Sequence, residues 1–166
     1  MYSLHCTKKL LDRIKPPIVA PVAAPTTALG NWYATALFWK PQLALRVNQP
    51  TLLQVLMPLA PASTLAVRFA VELAAVLGRH GVSRAAIESE MAMMVEVAFA
   101  KTANRSVVGT MNEFSFLAER YREHFETSDL MALSMRLADT PCSPIQYNSP
   151  ARLIKALFGV EGTQKS

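Results

Sequence analysis

Seven side chains carry most of the chemistry this sequence offers: Lys8, Lys9, Arg46, Lys101, Asn104, Arg105 and Asn112. They are cations and amides, a set suited to holding phosphate. Such groups also support metal-independent RNA cleavage, in which Arg or Lys stabilises developing charge while a 2′-hydroxyl attacks. The groups that other catalytic chemistries need are missing from the pattern. There is no Gly-rich phosphate loop, no Gly-x-Ser-x-Gly elbow, no Cys-x-x-Cys and no His-x-x-x-His. The three histidines are scattered, so neither a sequence-local metal site nor a cofactor is expected, and no residue is assigned a catalytic role. His5 beside Cys6 has the residue types of a base and a thiol, but neighbours on a strand point to opposite faces. Glu88 with Glu90, and Glu119 with Glu123, read as solvated helix faces.

Charge narrows the choice of partner. The formal net charge is +5 over 166 residues. Residues 1–50 hold Lys8, Lys9, Arg13, Lys15, Lys40 and Arg46 against a single acid, Asp12, so the whole excess lies in the first third. A basic surface of this kind attracts nucleic acid or an acidic protein, and it also serves simply as a solvated face. Hydrophobic residues make up 51% and charged residues 17%, which excludes disorder for most of the chain and gives one domain by length. No apolar run reaches the roughly 20 residues of a membrane-spanning helix. The opening residues lack the order of a secretory signal, so a cytoplasmic protein with reduced Cys6 and Cys142 is expected.

The elements that must position these residues follow from periodicity and caps. Residues 2–6 read as a strand, and Thr7 opens a helix over 8–14. Prolines 16, 17, 21 and 25 make 15–27 an extended surface crossing on which Ile18, Val19 and Val22 can pack. Leu29, Trp32, Tyr33, Ala36 and Leu37 recur at helical spacing and predict a helix over 28–38, capped by Thr27, with Trp32 and Trp39 packed rather than free to stack on bases. Period-two alternation predicts a strand over 43–48, a turn at Asn48-Gln49-Pro50 and a second strand over 51–59, paired as an antiparallel hairpin.

Ser63 caps an amphipathic helix bearing Leu65, Phe69, Leu73, Val76 and Leu77, and Ser83 caps another over 84–94. Residues 95–100 fit a strand or an extension of that helix. A long helix is predicted from Asn104 to Phe125, with Val107, Met111, Phe114, Ala118, Tyr121 and Phe125 inward. Arg105 and Asn112 share another of its faces, with Gly109 between them. Either Gly109 leaves room for a ligand, or it admits a neighbouring backbone while Arg105 and Asn112 tie down loop carbonyls. Ser128 caps a helix over 129–138, and Ser149-Pro150 opens the last one, to Phe158. The sum is an α+β domain over 1–158, with a small sheet of three or four largely antiparallel strands and about six helices, followed by a flexible tail over 159–166.

Three stretches carry a resemblance: Cys6-Thr7-Lys8-Lys9-Leu10-Leu11, then Thr26-Thr27-Ala28-Leu29-Gly30-Asn31-Trp32-Tyr33-Ala34, then Lys101 to Phe114, reading KTANRSVVGTMNEF. Together with Thr140-Pro141-Cys142 they resemble an uncharacterised bacterial family, a domain of unknown function found in small stand-alone proteins and in plasmid or mobile-element proteins. The resemblance implies a mobile-element or defence setting. It implies no activity, so no residue inherits a catalytic role.

Two functions stay open. One is a non-enzymatic binding or regulatory module acting on a protein partner or on nucleic acid, away from membranes. The other is a small metal-independent ribonuclease of the toxin kind.

Overall fold

In the computed structural model, which describes residues 1–19, 23–125 and 129–160, the core is a five-stranded open sheet. Its strands are β1 (Tyr2–Cys6), β2 (Trp32–Leu37), β3 (Leu43–Asn48), β4 (Gln54–Pro58) and β5 (Val97–Lys101), in the spatial order β4-β3-β2-β1-β5. β1 runs parallel to both β2 and β5, while β2, β3 and β4 form an antiparallel meander. Six α-helices surround it among the described residues: α1 (Lys8–Ile14), α2 (Leu65–Arg79), α3 (Arg84–Met93), α4 (Arg105–Phe125), α5 (Leu130–Leu137) and α6 (Pro150–Leu157). The fold is α+β, as the sequence predicts, but the sheet is larger and mixed rather than three- or four-stranded and largely antiparallel. None of these helices is long and apolar enough to cross a membrane.

Each face of the sheet has its own core. Tyr2, Leu4, Cys6, Trp32, Ala34, Val55 and Met57 meet Leu10 of α1 and Phe69, Leu73 and Leu77 of α2. On the other face Tyr33, Leu37, Leu45, Val47 and Leu56 meet Val107, Met111, Phe114 and Ala118 of α4 and Leu133 and Leu137 of α5. Burying both faces replaces the alternation of a half-exposed strand with a continuous apolar run.

That explains the main correction. The helix predicted over 28–38 is instead a turn and β2, all six of whose residues are buried. Trp32 enters one core, edge-on to Phe69 with ring centroids 4.9 Å apart, and Tyr33 enters the other. Glu90 sets the turn. Its side chain is buried, and its two carboxylate oxygens accept hydrogen bonds from the amides of Ala28 (2.8 Å) and Leu29 (3.0 Å). Gly30 follows at φ +79°, a left-handed conformation that glycine adopts without strain. Glu90 is therefore not on a solvated face, whereas Glu88 is, in an exposed pair with Arg84.

Smaller differences have local causes. Residues 97–101 are strand, which settles the open reading of 95–100. β4 starts at Gln54 because Asn48 organises the preceding turn: its side chain donates to the carbonyls of Leu29 and Asn31 and accepts from Thr51. Thr7 precedes α1 without capping it, since its hydroxyl pairs with Thr35 at 2.8 Å. Ser83, Asn104 and Ser149 do cap α3, α4 and α6. Asp129 caps α5, and Ser128 lies outside the described residues, as do Val22 and most of the predicted tail. Of the proline-rich crossing, Ile18 and Val19 lie against the outer edge of β5, where the Val19 amide donates to the Phe99 carbonyl at 2.8 Å.

Replacing Glu90 by Ala leaves the buried Leu29 amide without an acceptor, so a loss of about 1–3 kcal/mol is expected. Glu88→Ala, on the solvated side, should change stability by less than about 0.5 kcal/mol. Urea unfolding of both variants checks the contrast.

Candidate functional site

Because β1, β2 and β5 are mutually parallel, their carboxyl ends fall on one edge of the sheet. From β1 the chain turns to α1 on one face, and from β5 it turns to α4 on the other. Where consecutive connections diverge to opposite faces, a crevice opens outside the strand ends. Here one recess is lined by Cys6, Lys8, Leu11, Asp12, Lys101 and Thr102. A second shares Thr102 and continues along α4 past Arg105, Gly109 and Asn112. A third lies across Arg105 and Gly109, towards Thr140–Pro144 and Tyr147.

The structure thus brings Lys8, Lys101, Arg105 and Asn112 onto connected grooves. Asn104 lines none of these recesses; its side chain is spent on capping α4, accepting from the amides of Ser106 and Val107. Lys9 lies further along the same sheet edge, its ammonium 5.6 Å from the ring centroid of Phe38, which follows β2. Phe38 is 57% exposed. The predicted helix over 28–38 hid this residue. Trp39 is half-buried with the Arg122 guanidinium 4.0 Å above its ring, a packed arrangement. Arg46 does not join the set. It is 1% exposed inside the core between β3 and α2, so the cationic group of the sequence reading loses one member.

The loop Lys101–Asn104 is held from below. His5 Nδ1 lies 2.9 Å from the Lys101 carbonyl, and its ring stacks on Tyr33 at 4.7 Å. The Tyr33 hydroxyl accepts a hydrogen bond from the Asn104 amide at 2.8 Å. These two residues of the inner strands position the cationic loop, a role with no local sequence signature. Cys6 points to the opposite face from His5, among the residues of the other core, so the pair forms no thiol–base dyad. Burial pushes the Cys6 thiol up to about 12 and the Cys142 thiol to about 11.

Arg105 and Asn112 are exposed, and among the described residues neither side chain makes a hydrogen bond. A Cβ built at Gly109 would meet no atom within 4 Å outside its own helix. The reading in which Gly109 admits a backbone and its neighbours tie down carbonyls therefore fails. The groove beside Gly109 is open. Lys8 pairs with Asp12 at 3.0 Å on a solvent-exposed turn, an interaction worth little to stability.

A family model described as a domain of unknown function, DUF6933, matches residues 3–153. No curated protein and no solved structure matches the chain.

Gly109→Ala is expected to stabilise the protein by up to about 1 kcal/mol, since helix propensity acts unopposed there. Arg105→Ala should leave the melting temperature almost unchanged. Calorimetry of the two variants checks both.

The thiols give a pH signature. Unfolded cysteines ionise near pH 9, whereas the folded ones keep their protons to about 12 and 11. The folded state then binds more protons, so stability should fall as pH rises from 9 to 11. Denaturant midpoints across that range, and a titration finding two thiols that react on unfolding and slowly before it, test this.

Proposed function

The chain belongs to the DUF6933 family, whose description assigns no activity, and on that premise we propose from its own side chains that it is a non-enzymatic module binding single-stranded nucleic acid. The observation that carries the reading is the convergence of Lys8, Lys101 and Arg105 on the grooves at the carboxyl ends of β1 and β5, with exposed Phe38 beside Lys9 on the same edge. Cations that track a phosphate backbone, combined with an aromatic face for bases, are how single strands are held without base-specific contacts. Asn112 adds an unengaged amide within the groove. Recognition of nucleic acid by a small protein also suits a mobile-element or defence setting.

Two other readings rest on weaker observations. A protein partner is favoured by the outward side of α2, where Val67 and Val71 are 73% and 66% exposed one turn apart. Ribonuclease action requires a proton acceptor presented to a 2′-hydroxyl. His5 is buried, stacked on Tyr33 and bonded to a backbone carbonyl, which suits positioning better than proton transfer.

Fluorescence anisotropy with labelled single-stranded RNA and DNA tests the proposal. Affinity should fall steeply with salt, and the double variant Lys101→Ala, Arg105→Ala should reduce the log–log slope by up to about 1.4, or about 0.7 for each phosphate no longer neutralised. Phe38→Ala should weaken binding by about 1–3 kcal/mol with little change in slope. Absence of binding at low salt removes the proposal, and shortening of the RNA would favour the ribonuclease.

A further inference from the structure

Arg46 sits in the middle of β3, opposite Ala34 of β2 and Val55 of β4. Buried charges are normally paired or fully hydrogen-bonded, because removing an ion from water costs several kcal/mol. Arg46 is neither. Its Nε and Nη1 have no hydrogen-bond partner among the described residues. Its guanidinium lies 4.1 Å from the centroid of the Phe69 ring, which offsets part of the cost. The ionisable groups acting on it are Tyr2, whose hydroxyl accepts a hydrogen bond from the guanidinium, Cys6 and Arg68, with no carboxylate among them. Burial raises the pKa of the Tyr2 phenol, and the Cys6 thiol with its pKa of about 12 is neutral at physiological pH. Arg68 is a second cation, and its own donors are spent on Thr64 and on the carbonyls of Pro58, Leu59 and Pro61.

A recess of about 250 Å³ is bordered by this arginine. Ile14, Pro16, Leu65 and Phe99 supply apolar walls, and Ser63 supplies a hydroxyl. Leu65 begins α2 directly after a 3-10 turn over Ala62–Thr64, whose carbonyls already take the first amide, so the recess is lined there by side chains and not by a free helix end. A buried guanidinium with two unused donor atoms and no carboxylate beside it, together with a largely apolar lining, defines a complement: one negative charge on a planar, two-oxygen head, attached to a small apolar body.

We propose that this recess is a ligand site, separate from the nucleic-acid crevice, that binds a small apolar monocarboxylate with its carboxylate on Arg46. The guanidinium fork matches two carboxylate oxygens. A phosphate dianion would exceed the one charge available and would leave the apolar walls unused.

Benzoate, butyrate and inorganic phosphate, each added to the full chain, are the probes. The readouts are melting temperature and the Arg46 Nε–Hε resonance in ¹H–¹⁵N spectra. Benzoate or butyrate should shift both in a saturable, single-site manner. Arg46→Met, which keeps volume without charge, should lose the ligand response at least about tenfold, as should Arg46→Lys, which keeps charge without the fork. Three results would overturn the proposal: no saturable change at about 50 mM carboxylate, where even millimolar affinity saturates; an equal response in Arg46→Met; or a shift of the Arg46 resonance by phosphate alone. Should Arg46→Met fail to fold, the wild-type resonance decides by itself.

Discussion

Hydrogen bonding of β1 on both edges to parallel neighbours is the constraint on which the rest depends. A parallel pair cannot be joined by a tight turn, so each junction needs a crossover. α1 and the proline-rich segment connect β1 to β2, and α2 and α3 connect β4 to β5. The same pairing aligns the carboxyl ends of three strands and sends the chain to opposite faces from two of them. The crevice is thus a product of topology, and the residues that reach it, Lys8 and Lys101, lie at or just past strand ends. His5 and Tyr33, paired directly across β1 and β2, transmit the rigidity of the sheet to the Lys101–Asn104 loop.

Covering both faces has an energetic consequence for polar residues in the sheet and in the elements packed on it. Asn48 and Glu90 are buried and hydrogen-bonded, and each fixes a turn by satisfying backbone groups that a regular ladder cannot reach. Such satisfied networks are what make a buried polar group tolerable. Among the described residues, Ser3, Gln54 and His80 each leave one buried polar atom unpartnered, and Arg46 leaves two donor atoms unused beside a recess that it lines. The two regions differ in character: the crevice is exposed and multiply cationic, and the Arg46 recess is small and mostly apolar.

Much of the helical frame is legible in the sequence because α2 and α4 each bury one stripe, and Ser83, Asn104 and Ser149 mark helix starts. β1 and β3 are also legible, with bounds close to those observed. β2 is not, since a strand buried on both faces shows no alternation and its Trp32, Tyr33, Ala36 and Leu37 fit a helical period by coincidence. Glu90, which sets the turn before it, is 61 residues from Leu29 in the chain. Of the candidate site, Lys8, Lys101, Arg105 and Asn112 are recognisable by type and come together in space. The burial of Arg46 is hidden by its alternation with Leu45 and Val47, which reads as a solvent-facing position unless a second layer, here α2, covers that side.

Whether the β1/β5 crevice takes up nucleic acid is tested most directly by hydrogen–deuterium exchange of the full chain with and without a single-stranded oligonucleotide. The expected result is slower exchange confined to residues 7–11 and 101–112, the segments carrying Lys8, Lys101, Arg105 and Asn112. Unchanged exchange there under saturating oligonucleotide, or protection centred on α2 around Val67 and Val71, would contradict it.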